Sequence, residues 1–530
     1  MRKVAASREL VLAHERAGNL VRSHHLYAAA AEEYQKALHV EGIANSDHLR
    51  ISESLGYALF LGGDPIAANQ WFDTVLASYL ANPNTIAQAI HTLRRIAGQL
   101  WIEAKTEARL QLDTQALRLA TASGDAGLRK RANVLAANTL NLLGRFAEAE
   151  KFMLVAKGID VDDLSANIEY HLHKGYTLAA FGNAQEAYEN FDRAIVLTQE
   201  DADLARVTAV WESYALWALA LGDIERAKTH YERALLVARQ NGLAWFIPFL
   251  CIDYADLLAR MGQERAAYEY LIEAISYEAR APILEMKFAA VGIPLALRMN
   301  DLVTLARCSR QETIGLAFQS GQPCRIGPVA AAFARFHMER GQTYEAEALL
   351  HRALEHVTYI DESFDLPIEV ARYGAIEDIP KARNLLTSRL RLPNAEVARA
   401  LLSLFEMTVE HRQGRLSQAY VHATAAEQAF VALHWYACAE TARSMLPVSG
   451  PHPTQYHLPF KPFSDVKLAL TKREQEVAEL ALRRLTNREI GQVLGISEHT
   501  IEKHMTSIME RLGIHSRRQL VDVLAEPQDD

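Results

Sequence analysis

The chain has 530 residues, half of them hydrophobic and 23% charged, with a formal net charge of −9. That length exceeds one compact core and calls for several domains or a repeat array, while the ordinary balance of apolar and charged residues excludes a globally disordered chain. No apolar run approaches the roughly 18–20 residues that cross a bilayer, so no membrane partner is expected.

The opening segment "MRKVAASRELVLAHERAG" is charged throughout and lacks the apolar centre of a secretion signal, so the chain reads as cytoplasmic. Behind it the sequence repeats itself. Alanine recurs at positions 30, 68, 108, 149, 187, 227, 267, 306, 346, 382 and 419, a period near forty. Five residues before each alanine stands a turn, which is Gly63, Gly144, Gly182, Gly222, Gly262, Gly341 or Gly414 at seven sites. The weaker turns are His25, Glu103, Asp301 and Glu377. Four residues after the alanine comes a bulky apolar side chain, as at Tyr34, Phe72, Phe191, Tyr231 and Leu271.

A glycine that enters the left-handed region ends one helix, a small alanine lets the next helix approach closely, and the bulky residue fills the space one turn later. Forty residues therefore make two helices of about 16 residues, each about 25 Å long. Eleven such hairpins over roughly residues 10–445 predict an all-α, right-handed solenoid with one continuous core and a concave inner face. The segment "LHWYACAETARSML" (433–446) is expected to close the stack. This frame resembles the tetratricopeptide-like superfamily, with a longer period than usual. The resemblance implies a superhelix whose groove holds a peptide, a protein or a small ligand, or which merely carries the terminal part of the chain.

Within the array the chemistry-bearing residue types are sparse. Cys251, Cys308, Cys324 and Cys438 are too scattered for a metal site and read as small buried residues of a reducing compartment. His351 with Glu355 in "HRALEH", and His171 with His173 in "EYHLHK", fall short of a zinc ligand set and read as helix-surface or groove polarity. "RKR" at 129–131 reads as a solvated charge run. No GxxxxGK[ST] loop is present to cradle a phosphate, and no receiver domain for phosphorelay precedes the last module. No enzyme, metal or cofactor is expected.

Five of the 16 prolines fall between Pro447 and Pro462, where "PVSGPHPTQYHLPFKP" cannot continue a helix. The boundaries are then residues 1–446 for the solenoid, 447–466 for a proline-rich linker and 467–526 for a terminal module. Charge divides at the same place. Residues 467–520 carry +3, the last ten residues −4 and residues 1–466 a net −8.

Four helix starts are legible in the module. Thr471 with Glu474, Thr486 with Glu489 and Ser516 with Gln519 form capping boxes, and Ser497 is an N-cap of the preferred type. The second and third helices, about 486–494 and 497–512, are joined by a tight turn at Gly495, which is helix-turn-helix spacing. Ile501, Met505, Ile508 and Leu512 share one face and are expected to pack on Val477, Leu480, Ile490, Val493 and Leu494. His499, Lys503, Thr506 and Glu510 lie opposite, with Glu502 on the flank. A helix pinned by one face and polar on the other can enter a major groove about 12 Å wide and read base edges.

The run "LTKREQEVAEL…LTNREIGQVLGISEHTIEKHMTSIMERLGIHSR" resembles the LuxR-type helix-turn-helix domain of bacterial transcription regulators. The likeness is carried by Leu470-Thr471, Arg473-Glu474, Asn487, Glu489-Ile490, Leu494-Gly495-Ile496-Ser497, Thr500, His504, Leu512-Gly513 and Ser516-Arg517. It covers about 50 of the 530 residues. By that likeness Glu502, Lys503 and Thr506 stand where bases are read. Thr486, Asn487, Arg488, Ser497, Thr500, His504 and Arg511 stand where phosphate is met, although Thr486 and Ser497 are already explained as caps and Arg511 as solvated. The fourth helix, with Leu520, Val521, Val523 and Leu524, stands where the family dimerises. Two positions depart from the pattern: Glu502, where lysine is frequent, and Arg484, where glycine is usual.

The expected protein is therefore a sequence-specific regulator that binds double-stranded DNA, as a homodimer when on DNA. Its solenoid senses an unknown ligand or protein. It resembles the carboxyl half of the large ATP-dependent LuxR regulators and is expected to be either a short form without ATP control or a fragment of a longer ATP-binding regulator. The competing reading is a solenoid adaptor for other proteins whose last helices only self-associate.

Overall fold

A computed structural model describes residues 2–446 apart from 24–25, 62–63, 202–203, 242, 244, 278–280, 358–363, 394 and 445, and further describes positions 477, 481, 487, 490, 494 and 497–512. Every regular element among these residues is helical. The helices pair in antiparallel hairpins with the expected period. The first three pairs are Arg2–Ser23 with Tyr27–Leu38, Asn45–Leu61 with Pro65–Leu80, and Ile86–Ile102 with Thr106–Ser123. The fourth to seventh are Ala126–Leu142 with Phe146–Lys157, Leu164–Ala180 with Ala184–Thr198, Leu204–Ala220 with Ile224–Gln240, and Ile247–Arg260 with Glu264–Ser276. The ninth to eleventh are Pro323–Glu339 with Thr343–His356, Asp365–Tyr373 with Ile379–Arg389, and Glu396–Arg412 with Leu416–Ala432. Tyr436–Arg443 closes the stack. This is a tetratricopeptide-like α-solenoid.

The eighth hairpin is irregular. Its first helix runs from Pro282 to Met299 but passes through a π-helical turn at Phe288–Gly292. Pro294 comes directly after; it has no amide proton for the ordinary helical bond, and a wider turn accommodates the loss. Its second helix, Leu302–Cys308, is only 7 residues long, and an additional helix, Glu312–Ser320, precedes the ninth hairpin.

The turn chemistry is as expected at the glycine sites. Gly144, Gly182, Gly222, Gly262, Gly341 and Gly414 have φ between 72° and 87°. At each described turn of this kind the next amide donates back to a carbonyl five residues earlier, as Asn183 N does to Leu178 O at 2.9 Å. Alanines 30, 68, 149, 187, 227, 267, 346, 382 and 419 are buried, and Tyr34, Phe72, Phe191, Tyr231 and Leu271 are inaccessible to solvent. Burying such a side chain contributes about 1.5–3 kcal/mol each. The space for each ring comes from the partner helix seven residues before the turn. A Cβ added at Gly175 would sit 2.6 Å from Phe191, and one at Gly18 2.7 Å from Tyr34.

Two hairpins correct the expected frame by one residue. In the third the left-handed position is Ala104 rather than Glu103, and in the eighth it is Asn300 rather than Asp301. Asp301 instead caps the next helix, accepting from Val303 N and Thr304 N at 2.9 and 3.1 Å. The helix therefore starts one residue later or earlier, so Arg109 and Leu305 take the buried position in place of Ala108 and Ala306.

The inner face is also not simply a concave surface, because the superhelix closes on itself. The turns of the fourth to seventh hairpins abut residues about five hairpins further along. Gly144 meets Pro323, Gly182 lies under Leu392 and Pro393, Gly222 under Val397 and Leu433, and Gly262 beside Tyr436. Gln322 Nε2 donates to Thr106 Oγ1 at 2.7 Å, and Arg389 Nη1 to Ala180 O at 3.2 Å, each across more than 200 positions. The rings of Trp101 and Phe249 stack across the axis.

Polar residues on the inner helices are buried between neighbouring hairpins. Of the "RKR" run only Arg129 is exposed: Lys130 is buried and donates to Asn167 at 2.7 Å, and Arg131 pairs with Asp163 at 3.0 Å. The solvated reading of that run is corrected accordingly. Cys251, Cys308 and Cys324 are buried and Cys438 is half-buried, all as free thiols. Among the described residues no helix is long and apolar enough to cross a membrane.

Candidate nucleic-acid interface

The helix Glu498–Leu512 is built on a cap. Ser497 Oγ accepts from Thr500 N at 3.2 Å, and its carbonyl accepts from Thr500 N and Ile501 N at 2.9 and 3.1 Å. The same hydroxyl meets Thr500 Oγ1 at 2.7 Å, so two of the residues proposed to touch phosphate hold one another at the first turn. Capping of this kind stabilises a helix end by about 0.5–2 kcal/mol.

Burial then sorts the faces. Ile501 and Ile508 are inaccessible and Met505 is 4% exposed, while Val477, Ala481 and Ile490 of the preceding segment are buried too. Glu502, Lys503 and Thr506 are all exposed, as is His499. Between the two faces lies a flank where Thr500, His504 and Ser507 are half-buried. The expected arrangement is therefore present: an aliphatic stripe turned inward, the three base-reading candidates turned outward, and Thr500 and His504 along the edge. Asn487 is half-buried and Ser497 exposed. Thr486 and Arg488, the three capping boxes, Leu480, Val493, Gly495, the linker 447–466 and the surface of Leu520, Val521, Val523 and Leu524 lie outside the described residues, as do the side chains of Glu510, Arg511 and Leu512.

Local contacts refine what each outward residue can do. Thr506 Oγ1 donates to the Glu502 carbonyl at 3.0 Å, so in this rotamer its hydroxyl offers a base only an acceptor lone pair and its methyl group. His499 Nδ1 lies 3.4 Å from Glu502 Oε2, one turn away. Lys503 forms no ion pair among the described residues and keeps its ammonium for an incoming acceptor. Reading by residue type alone missed the His499–Glu502 pair and the back-bonded Thr506. The i, i+3 spacing of the first and the i, i−4 habit of threonine in helices were the available signals.

The histidines singled out in the solenoid sequence have these surroundings. His351 Nδ1 meets Asp378 at 2.9 Å and His171 Nδ1 meets Asn190 at 3.0 Å. His173 is buried, and burial, with Arg109 and Arg94 nearby, pushes its pKa down to about 3. Among the described residues no group of three or more potential ligands could hold a metal ion.

Residues 468–524 match the family described as bacterial regulatory proteins, luxR family. Spore germination protein GerE of Bacillus subtilis is 46% identical over 55 residues, which are 10% of this chain and 74% of that protein. Oxygen regulatory protein NreC of Staphylococcus aureus is 41% identical over 59 residues, 11% of this chain but only 27% of its own length. Along the solenoid, a Rap protein complexed with Competence and Sporulation Factor superposes with a TM-score of 0.43 at 11% identity, covering 66% of this chain and 99% of that one. With nearly three quarters of GerE aligned to its terminal module, the chain belongs to the luxR family of bacterial regulatory proteins.

Proposed function

We propose that the chain is a sequence-specific, DNA-binding transcription regulator whose solenoid senses a ligand or protein partner and governs the terminal module. Residues 1–446 form the sensing half, 447–466 a connector and 467–526 the DNA-binding module. The observation that carries this reading is the sorted Glu498–Leu512 helix, inaccessible at Ile501 and Ile508 and exposed at Glu502, Lys503 and Thr506. Family membership through this module supports it.

In this reading Lys503 donates to guanine acceptors, Glu502 accepts from the amino group of cytosine, and Thr506 adds a methyl or acceptor contact. Asn487, Ser497, Thr500 and His504, joined by Thr486, Arg488 and Arg511, meet phosphate and set the register without reading sequence. Leu520, Val521, Val523 and Leu524 pair two modules. One small module grips DNA weakly, whereas two tethered modules gain about 10²–10⁴ in apparent affinity. A change in the distance between modules is then a sufficient switch, with no chemistry needed.

The test uses the full-length chain. Duplexes are selected from a random pool and binding is tracked by fluorescence anisotropy as salt rises. A module making 6–10 phosphate contacts loses about 10³–10⁵ in affinity between about 50 and 200 mM salt. Failure to retain any duplex at the lower salt overturns the DNA reading and leaves the adaptor reading.

A further inference from the structure

The outward face of the Glu498–Leu512 helix carries one more polar side chain beside the base-reading set. His499 lies four residues before Lys503 and seven before Thr506, a spacing that puts all three on one face, with Glu502 on the flank. Ser497 Oγ reaches Thr500 N at 3.2 Å and Thr500 Oγ1 at 2.7 Å, and these contacts close the first turn around His499. The side chains of His499 and Glu502 are 74% and 58% exposed, so a duplex can reach both.

The pair of His499 and Glu502 has a direction. Nδ1 lies 3.4 Å from Glu502 Oε2, at the long end of a hydrogen bond, and a carboxylate can only accept, so Nδ1 carries the hydrogen. In a neutral ring Nε2 is then an acceptor. Glu502 Oε1 has no partner among the described residues and is a second acceptor on the same surface. In the major groove the donors are the amino groups of adenine and cytosine. Each base pair carries one of them, on the strand of its adenine or cytosine, so an acceptor decides which strand holds that base. Residues three apart stand about 4.5 Å apart along a helix, while stacked bases are about 3.4 Å apart. The two acceptors therefore meet neighbouring base pairs rather than the same one.

We infer that His499 is a further specificity-determining residue of the DNA-binding module. Its Nε2 accepts from the amino group of an adenine or cytosine adjacent to the base pair that Glu502 reads. Its Nδ1–H meanwhile holds the Glu502 carboxylate in place, leaving Oε1 for the cytosine. This deepens the reading of the module as a sequence-specific DNA binder and rests on it. The same N–H accounts for a carboxylate at a position where lysine is frequent, because a donor on one oxygen offsets part of the cost of bringing that charge near phosphate. His499 and Glu502 then read amino groups, and Lys503 reads the acceptors of guanine.

The experiment selects duplexes from a random pool with the full-length chain at pH 8, then measures affinity for the selected site and its single-base variants by fluorescence anisotropy. The parent should prefer adenine or cytosine beside the cytosine read by Glu502, with guanine or thymine there binding about five- to tenfold more weakly. His499→Ala should erase that preference and weaken the cytosine preference about threefold. His499→Asn, whose amide replaces Nδ1–H but does not reach as far as Nε2, should restore the cytosine preference alone. His499→Gln, whose longer amide pairs bidentately with adenine, should narrow the adjacent position to adenine. A His499→Ala chain that selects the parent's sequence, or that loses the same factor on every duplex, overturns the base-reading role. A cytosine preference no better in His499→Asn than in His499→Ala overturns the positioning of Glu502. If the parent retains no duplex at about 50 mM salt the DNA reading falls as well, whereas a parent that binds while the His499 variants read sequence as it does sinks this proposal alone.

Discussion

Closure of the superhelix makes a prediction that an open solenoid does not. Gly182 and Gly341 occupy the same place in their hairpins, with φ of 73° and 74°. Alanine at either must adopt a left-handed backbone, at about 1 kcal/mol. Their surroundings differ. A Cβ at Gly341 meets nothing within 4 Å, whereas one at Gly182 would stand 2.4 Å from Pro393 O and 3.0 Å from Leu392 Cβ. Those atoms belong to the loop before the eleventh hairpin and must move, at a cost of about 1–3 kcal/mol by analogy with overpacked cores. Gly182→Ala should thus lose about 2–4 kcal/mol and Gly341→Ala about 1 kcal/mol. In a stack where each hairpin feels only its neighbours, damage at position 182 would stay local. Here amide exchange should quicken in Glu396–Arg412 and Leu416–Ala432, more than 200 positions away, in Gly182→Ala but not in Gly341→Ala. Paired urea unfolding and hydrogen-exchange mass spectrometry read both effects. Equal stability losses, or unchanged exchange across 396–432, would refute closure.

Three further outcomes are expected. Lys503→Ala should change which duplexes are selected, with about 1–3 kcal/mol lost at one base position and little at the others; a uniform loss over all sequences would make Lys503 a phosphate contact instead. Glu502→Lys should remove the preference for cytosine at one position and steepen the salt dependence by about one unit of logarithmic slope, and an unchanged slope would take Glu502 away from the DNA. His173 concerns stability. Its folded pKa of about 3 lies below its ordinary 6.5, so between these values the unfolded chain holds a proton that the folded chain refuses. Stability is full above pH 6.5 and falls as pH drops through that window, by up to about 1.4 kcal/mol per pH unit. His173→Gln should flatten the melting temperature between pH 6.5 and 5, and parallel curves for variant and parent would exclude His173 as the source.

How far the sequence was legible depends on the range of each interaction. A hairpin is decided within about forty residues, by a left-handed turn, a small residue and a ring one turn later, so glycines and alanines in frame sufficed to count eleven of them. The recognition helix is legible for the same reason, since Ile501, Met505 and Ile508 repeat at helical spacing and their inward turn settles where Glu502, Lys503 and Thr506 point. The frame slipped only where a residue other than glycine took the left-handed position. Asn300 does so readily, and Ala104 is carried there by the packing of the third hairpin.

Closure is of a different kind. It depends on small rotations added over about five hairpins, and no pair of neighbouring residues records that sum. Lys130 and Arg131 read as solvated in sequence, and His173 as helix-surface or groove polarity, yet Lys130 and His173 are buried and Arg131 half-buried, with their partners Asn167, Asp163 and Arg109 within two hairpins of them. A charge that is cheap on an open concave face becomes costly once the superhelix shuts, and the chain pairs nearly all such charges: Arg260 with two carboxylates, Arg335 with Glu369, and Arg307 with Glu285 at 2.6 Å. The pairing leaves single carboxylate oxygens over at more than one place, as at Glu169 Oε2 and Glu369 Oε2, whose other oxygens are held by Arg94 and Arg335.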